Sequence, residues 1–157
     1  MKNWDKFIQE SLRLELASKI MYELPCHKTD FTGVKDTEYN VLININDIIG
    51  SYGRGNQLWI DQLKKYRYAE LDTNKNIENI AKEAYASLEN SDYNLISYDV
   101  GKYYISDGHN RLTFLKFYIE LYNKSPNIRV SEVIYFPRCD DKKKSFLWTL
   151  LSFFKSK

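Results

Sequence analysis

The chain has 157 residues, of which 43% are hydrophobic and 28% charged. That length predicts one domain with room for a hydrophobic core, and that composition excludes a disordered chain. A net charge of only +2 excludes a whole-molecule field that draws in nucleic acid, and leaves a local basic face as the one electrostatic route to it.

The N-terminus, MKNWDKFIQE, is charged and lacks the apolar run of a signal peptide. Residues 3–24 read as one amphipathic helix. Trp4, Phe7, Ile8, Leu12, Leu16, Ile20 and Leu24 recur at three- and four-residue spacing, and Pro25 ends it. Residues 26–38 are polar, include Gly33 and read as a loop. Val41, Ile43 and Ile45 alternate with Leu42 and Asn44, which predicts a short strand. Gly50-Ser51-Tyr52-Gly53-Arg54-Gly55-Asn56 reads as a glycine-rich turn.

A helix is expected from Leu58 to about Tyr66. A second covers 76–90, with Ile77, Ile80, Ala81, Ala84, Tyr85 and Leu88 on one face. Asn94–Tyr98 and Lys102–Ile105 read as two strands joined by a hairpin turn at Asp99-Val100-Gly101. Leu112–Tyr122 is a third main helix. Ile128–Phe136 is a last strand, broken at Pro137, and Lys142–Phe154 a closing helix. With no repeat or linker, the simplest account is a single domain, residues 1–157, of mixed α/β (α+β) type.

The stretch Asp107-Gly108-His109-Asn110-Arg111 carries the chemistry. It follows a strand and opens an apolar helix. A helix N-terminus presents unpaired N–H groups and partial positive charge. Glycine lets the backbone bend and approach a ligand, and an arginine in the first turn adds a bidentate grip on phosphate. These parts together make an anion site. Asp107 is then placed to orient a hydroxyl, hold Mg²⁺ through water or act as a base, and His109 to donate to phosphate or transfer a proton. The competing reading is plain: Asp107 as an N-cap, Gly108 as a turn residue and Arg111 as a surface cation.

Tyr103-Tyr104-Ile105-Ser106-Asp107-Gly108-His109-Asn110-Arg111-Leu112 resembles the phosphate-binding box of the ParB/sulfiredoxin superfamily, a strand followed by a Gly-x-x-Arg turn and a helix. The subgroup it resembles most has an Asp-Gly-[Asn/His]-His-Arg turn. Val41 to Arg54, VLININDIIGSYGR, resembles that subgroup's strand and Gly-Ser-x-Gly-Arg turn, and the spacing between the two boxes suits it. The resemblance spans about residues 40–120. It implies a ParB/sulfiredoxin-like core with an added N-terminal helix and a C-terminal helix. The superfamily includes CTP-dependent DNA clamps, ATP-dependent sulfinic acid reductases and free-serine kinases.

Carried across, Gly108, Asn110 and Arg111 hold phosphate, and Ser51 and Arg54 form a second wall. The implied ligands are a nucleotide (ATP, ADP or CTP) with Mg²⁺. Sulfiredoxins place a cysteine where this chain has His109, which argues against reductase activity. Partition-type proteins have Gly-Glu-Arg-Arg there, with His109 and Asn110 standing in this chain for the glutamate and first arginine, and they carry a DNA-binding domain for which the remaining chain is expected to be too short. The free-serine kinases, with Asp-Gly-His-His-Arg, are nearest. They also use an upstream glutamate that the sequence alone does not locate. The expectation is an NTP hydrolase or small-molecule kinase, with Asp107 and His109 as its catalytic groups, acting on a nucleotide and a small-molecule acceptor. The alternative is a non-catalytic, ligand-sensing regulator or DNA-associated module; nucleic acid is the less favoured partner.

Other features read as structural. Cys26 and Cys139 are the only cysteines and form no CxxC pair, so free, non-catalytic thiols in a cytoplasmic setting are expected. His27 beside Cys26 lacks the further ligands of a zinc site. Gly50–Gly55 is no Walker A loop, because no Gly-Lys-Ser/Thr follows. Lys142–Lys144 reads as a solvated face. The apolar tail reads as core packing before a membrane-surface or partner helix, and no stretch reaches the ~18 apolar residues a bilayer span needs. Tyr52, Tyr66, Tyr68, Tyr103 and Tyr104 could stack on a base, but such rings mostly serve cores.

Overall fold

Alternating strand-like and helix-like periodicities resolve into elements that, among the described residues, follow the sequence closely from residue 58 onward and depart from it before that. The computed structural model of the protein describes residues 4–24, 36–69, 76–89, 93–99 and 101–136. The elements are α1 (Trp4–Ser11), α2 (Glu15–Ser18), β1 (Ile20–Glu23), β2 (Asp36–Asn44), a 3₁₀ turn (Ile45–Asp47), β3 (Ile48–Ser51), β4 (Gln57–Leu58), α3 (Trp59–Ala69), α4 (Ile77–Glu89), β5 (Asn94–Asp99), β6 (Lys102–Ile105), α5 (His109–Leu121) and β7 (Asn127–Tyr135). The fold is mixed α/β. Its seven strands form one sheet in the order β2-β7-β5-β6-β3-β1-β4. Among the described residues no helix is long and apolar enough to cross a membrane.

The single helix expected over 3–24 is not formed. After Ser11 the ladder tightens from a four-residue bond, Leu12 N–H to Ile8 O at 3.0 Å, to three-residue bonds from Arg13 to Glu10 and Leu14 to Ser11. Such a 3₁₀ turn ends a helix. The remaining apolar residues are drawn into the sheet. Tyr22 and Glu23 pair in parallel with Gly50 and Ser51, and Ile20 and Met21 pair antiparallel with Leu58 and Gln57. A helical repeat in sequence was overridden by an open sheet edge whose backbone groups needed partners.

That pairing explains a second departure. Gly50 and Ser51 belong to β3, not to the turn, which is confined to residues 52–56. A Cβ at Gly50 would run into the Tyr22 carbonyl oxygen and the Tyr104 ring. Glycine is required there for close approach of β1. The loop expected over 26–38 is strand from Asp36 onward, because β7 offers pairs from Asp36↔Tyr135 to Asn44↔Asn127. Asn44 then ends β2, its Oδ1 accepting the Asn46 N–H at 2.9 Å, so Ile45 lies in the 3₁₀ turn. In β7 the buried positions Ile128 and Val130 are followed by Val133. The alternation skips one residue opposite Asn40, which holds φ 56° within β2 while the register on either side of it stays the same. The predicted closing helix Lys142–Phe154, with Pro25, Cys26, His27, Gly33, Pro137, Cys139 and the Lys142–Lys144 run, lies outside the described residues.

The core centres on α5. Leu112, Phe114, Leu115, Phe117 and Ile119 are buried, and so are Thr113 and Lys116. A helix buried nearly all round sits between layers; α5 contacts α1, α3 and α4. Trp4 of α1 sets its ring 5.5–5.7 Å from those of Phe7, Tyr66 and Phe114 in edge-on geometry. Full burial of Phe7 and of Phe114 contributes about 1.5–3 kcal/mol each. The N-terminal helix is therefore part of the core. The sheet likewise draws on β1 and β7, outside residues 40–120.

Strands β1, β3 and β6 run parallel to one another. Their carboxyl ends, Glu23, Ser51 and Ile105, lie side by side. In open α/β sheets ligands bind in crevices outside such ends. The loop that leaves β3 carries Arg54, and the loop that leaves β6 runs through Asp107 and Gly108 into α5.

Candidate functional site

The turn between β6 and α5 is built by backbone bonding. The N–H groups of Ser106 and Asp107 both donate to the Asn94 carbonyl, at 2.8 and 3.1 Å. Gly108 takes φ 79° and ψ 22°, in the left-handed region, where glycine has no Cβ penalty. Its N–H donates to Asp107 Oδ1 at 2.7 Å. The first four-residue helical bond runs from Leu112 N–H to Gly108 O at 3.0 Å. The N-cap position belongs to Gly108 and carries no side-chain cap bond, so Asp107 is not the N-cap. The N-cap residue of α5 thus has no side chain with which to cap the opening turn.

Arg54, Asp107, Gly108, His109, Asn110 and Arg111 line one cleft of about 330 Å³. The two boxes, far apart in sequence, come together because β3 and β6 are neighbours and Tyr52 N–H donates to Ile105 O at 2.9 Å. Ser51 is not among the lining residues. It is fully buried at the end of β3, with its Oγ 3.5 Å from the Tyr52 carbonyl oxygen. Tyr52, Tyr66, Tyr103 and Tyr104, considered for base stacking, are not among the described lining residues either. Tyr66 is in the core, Tyr103 packs against it, and Tyr104 covers Gly50; the Tyr68 side chain lies outside the described set.

His109 is tucked under the loop that leaves β3. Its Nε2 is buried without a hydrogen-bond partner. Burial lowers its pKa from the usual 6.5, and the Arg54 charge lowers it further; the nearby backbone of Tyr52 and Ile105 and the Asp107 charge act oppositely without cancelling this. The imidazole is therefore neutral at pH 7. Thr113 Oγ1 donates to the His109 carbonyl at 2.7 Å, holding the first turn.

Asn110 is held by groups the sequence reading passed over. Gln62 Nε2 donates to Asn110 Oδ1 at 2.7 Å. Gln57 Nε2 donates to Gln62 Oε1 at 3.3 Å, and Lys65 Nζ donates to Gln57 Oε1 at 2.7 Å. A signal for Gln62 was present: it falls among Trp59, Leu63 and Tyr66 on the buried face of α3, where a polar side chain needs a partner. Glu23 was also missed, having been read as helix. It stands at the carboxyl end of β1, its N–H donating to Asn56 Oδ1 at 2.8 Å. One of its carboxylate oxygens is 4.0 Å from the Cβ position of Gly55.

No family model, curated protein or solved structure matches this chain. The site is accordingly read from its own chemistry. Among the described residues the cleft is lined by two arginines, a histidine, an asparagine and a glycine, with Asp107 as its one acidic residue. Among the described residues no three His, Cys, Asp or Glu side chains cluster as metal ligands. A hard cation in the cleft would find one protein carboxylate and take its remaining oxygens from phosphate and water.

Proposed function

We propose that this cleft binds the phosphates of a nucleotide and that the protein is a phosphoryl-transfer or NTP-hydrolysing enzyme, as its resemblance to the ParB/sulfiredoxin superfamily implies. The observation that carries the reading is the convergence of Arg54, Arg111 and the uncapped start of α5 on one cleft. Cations and helix amides both favour phosphate oxygens. Arg111 and the opening turn bind the ligand, and Arg54 closes it from the β3 side. Asp107 has one oxygen committed to Gly108 N–H, which leaves the other to orient an acceptor hydroxyl and take its proton. His109, neutral, serves as a donor or relay at the base of the cleft. Glu23, on the neighbouring strand, is the candidate for the upstream carboxylate. Mg²⁺ arriving with the nucleotide would neutralise charge developing on the phosphoryl oxygens.

One observation favours a second reading. The Asp107–Gly108 hydrogen bond gives Asp107 a structural task in the turn. If that is its whole task, the cleft senses a phosphorylated ligand without turning it over. A thermal-shift panel of ATP, ADP, CTP and GTP, each with and without Mg²⁺, tests binding. A ligand at 100 times its Kd should stabilise the protein by about 2.7 kcal/mol. Release of phosphate from the nucleotide that binds then separates enzyme from sensor. No shift with any nucleotide would overturn the phosphate reading.

A further inference from the structure

The amides leading to Asn110 have a direction that their chemistry dictates. An ammonium group only donates hydrogen bonds. Lys65 therefore holds the oxygen end of Gln57, 2.7 Å away, which turns the Gln57 NH₂ to Gln62. Gln62 must then accept with Oε1 and donate with Nε2, and it donates to Asn110 Oδ1 at 2.7 Å. Every link after the first follows from the first. At the end of the chain the Asn110 oxygen is turned toward Gln62, which leaves the NH₂ side of the amide for the cleft that Asn110 lines. Gln62 is fully buried, so water does not compete at the central link. Lys65 is at the exposed end, on the surface of α3.

We propose that Lys65, Gln57 and Gln62 form a polarity lock that keeps the Asn110 NH₂ turned into the cleft, making Asn110 a dedicated donor to a phosphoryl oxygen. The proposal rests on the phosphate reading of the cleft and deepens it. A free asparagine presents its donor or its acceptor to a ligand equally well. A locked one presents a donor to an acceptor-only group such as phosphate and disfavours ligands that need an acceptor there. Lys65, Gln57 and Gln62 are positioning residues, and Lys65 acts on the cleft without lining it.

The lock reverses if its first member becomes an acceptor. In Lys65→Glu the Gln57 NH₂ turns outward, Gln62 and Asn110 turn in sequence, and the Asn110 oxygen faces the cleft. Lys64→Glu makes the same charge change one residue away, on a side chain whose partner is Asp61 at 3.8 Å. Lys65→Arg keeps a donor-only group. Calorimetric titration with pyrophosphate should show Lys65→Glu weakened by about tenfold or more, the worth of one hydrogen bond to a charged group. Lys64→Glu and Lys65→Arg should stay close to wild type. In ligand-free protein, NMR should show the Asn110 side-chain NH₂ exchanging freely with solvent in wild type and protected in Lys65→Glu. Equal pyrophosphate affinity in Lys65→Glu and Lys64→Glu, or an Asn110 amide unchanged by Lys65→Glu, would overturn the lock. If wild type binds neither pyrophosphate nor ATP, the phosphate reading fails by itself. The amide exchange in ligand-free protein then decides the lock alone: a change supports it, and no change overturns it.

Discussion

Arg111 and Asp107 line the same cleft, yet their replacement should have different kinetic signatures. A guanidinium contacts phosphate in the ground state as well as in the transition state, so Arg111→Ala should weaken nucleotide affinity. A charge-assisted contact of this kind is worth about 1.5–3 kcal/mol, roughly tenfold to over a hundredfold in Kd by calorimetry. Asp107→Asn keeps the oxygen that accepts the Gly108 N–H, so the turn and the fold should survive. Losing a general base typically costs about 10²–10⁴-fold in rate, so kcat should fall while Kd holds or tightens slightly. A wild-type rate in Asp107→Asn would return Asp107 to the turn and favour the sensor.

At the scale of elements, α1 and α5 make the clearest commitments. Phe7 is fully buried, with its ring 5.3 Å from Phe114 and 5.7 Å from Trp4. Phe7→Ala should cost about 3–5 kcal/mol in urea denaturation. A loss below about 1 kcal/mol would mean that α1 is loosely attached. On α5, Lys116 is buried with Nζ 2.8 Å from the Ile45 carbonyl and 5.2 Å from the Trp59 ring centre. Burial is the main cause that lowers its pKa from 10.5 to about 8, so keeping the charge costs about 3 kcal/mol at pH 7. Lys116→Met removes that cost and gives up one hydrogen bond and a cation–π contact, worth about 1 kcal/mol each. The variant should be more stable than wild type by about 1 kcal/mol at pH 7, an advantage that shrinks as pH rises past 8. Equal stability gains at pH 7 and pH 10 would contradict this account of Lys116.

For the whole molecule these shifts combine into a pH profile. His109 has a lowered folded pKa. As pH falls through 6.5 the unfolded chain takes up the proton first, and stability is lost. Lys116 has the same sign in a higher window: between about 8 and 10.5 the unfolded chain binds more protons, so stability rises with pH. Tyr85, Tyr118 and Tyr135 have raised values, chiefly through burial. The unfolded chain releases their protons first above pH 10, and stability falls again. From these groups the melting temperature should step up as pH rises through 6, climb again above 8 and decline beyond 10. A melting temperature that peaks near pH 6 and falls toward 8 would contradict the placement of His109 and Lys116.

The sequence by itself determined the elements whose partners lie nearby or whose pattern has one solution. β5 and β6 form a hairpin, α4 carries a clean apolar stripe, and the Asp107–Arg111 turn announces a helix start through glycine and polar residues. Local chemistry sufficed there, because the φ angle of Gly108 and the alternation of β6 are set within a few residues. Residues 12–24 were decided by tertiary structure alone. Leu16 and Ile20 satisfy a helical repeat as well as a short turn and a strand, and only the vacant edge of β3, open to Tyr22 because residue 50 has no side chain, settled the matter. The residues in and around the cleft divide the same way. Asp107, Gly108, His109, Asn110 and Arg111 were legible as one contiguous string, and Arg54 through the second glycine-rich stretch. Gln62, Gln57, Lys65 and Glu23 were not, since a hydrogen-bonded relay across three elements and a carboxylate at a strand end exist only once α3, β4 and β1 have packed beside α5 and β3.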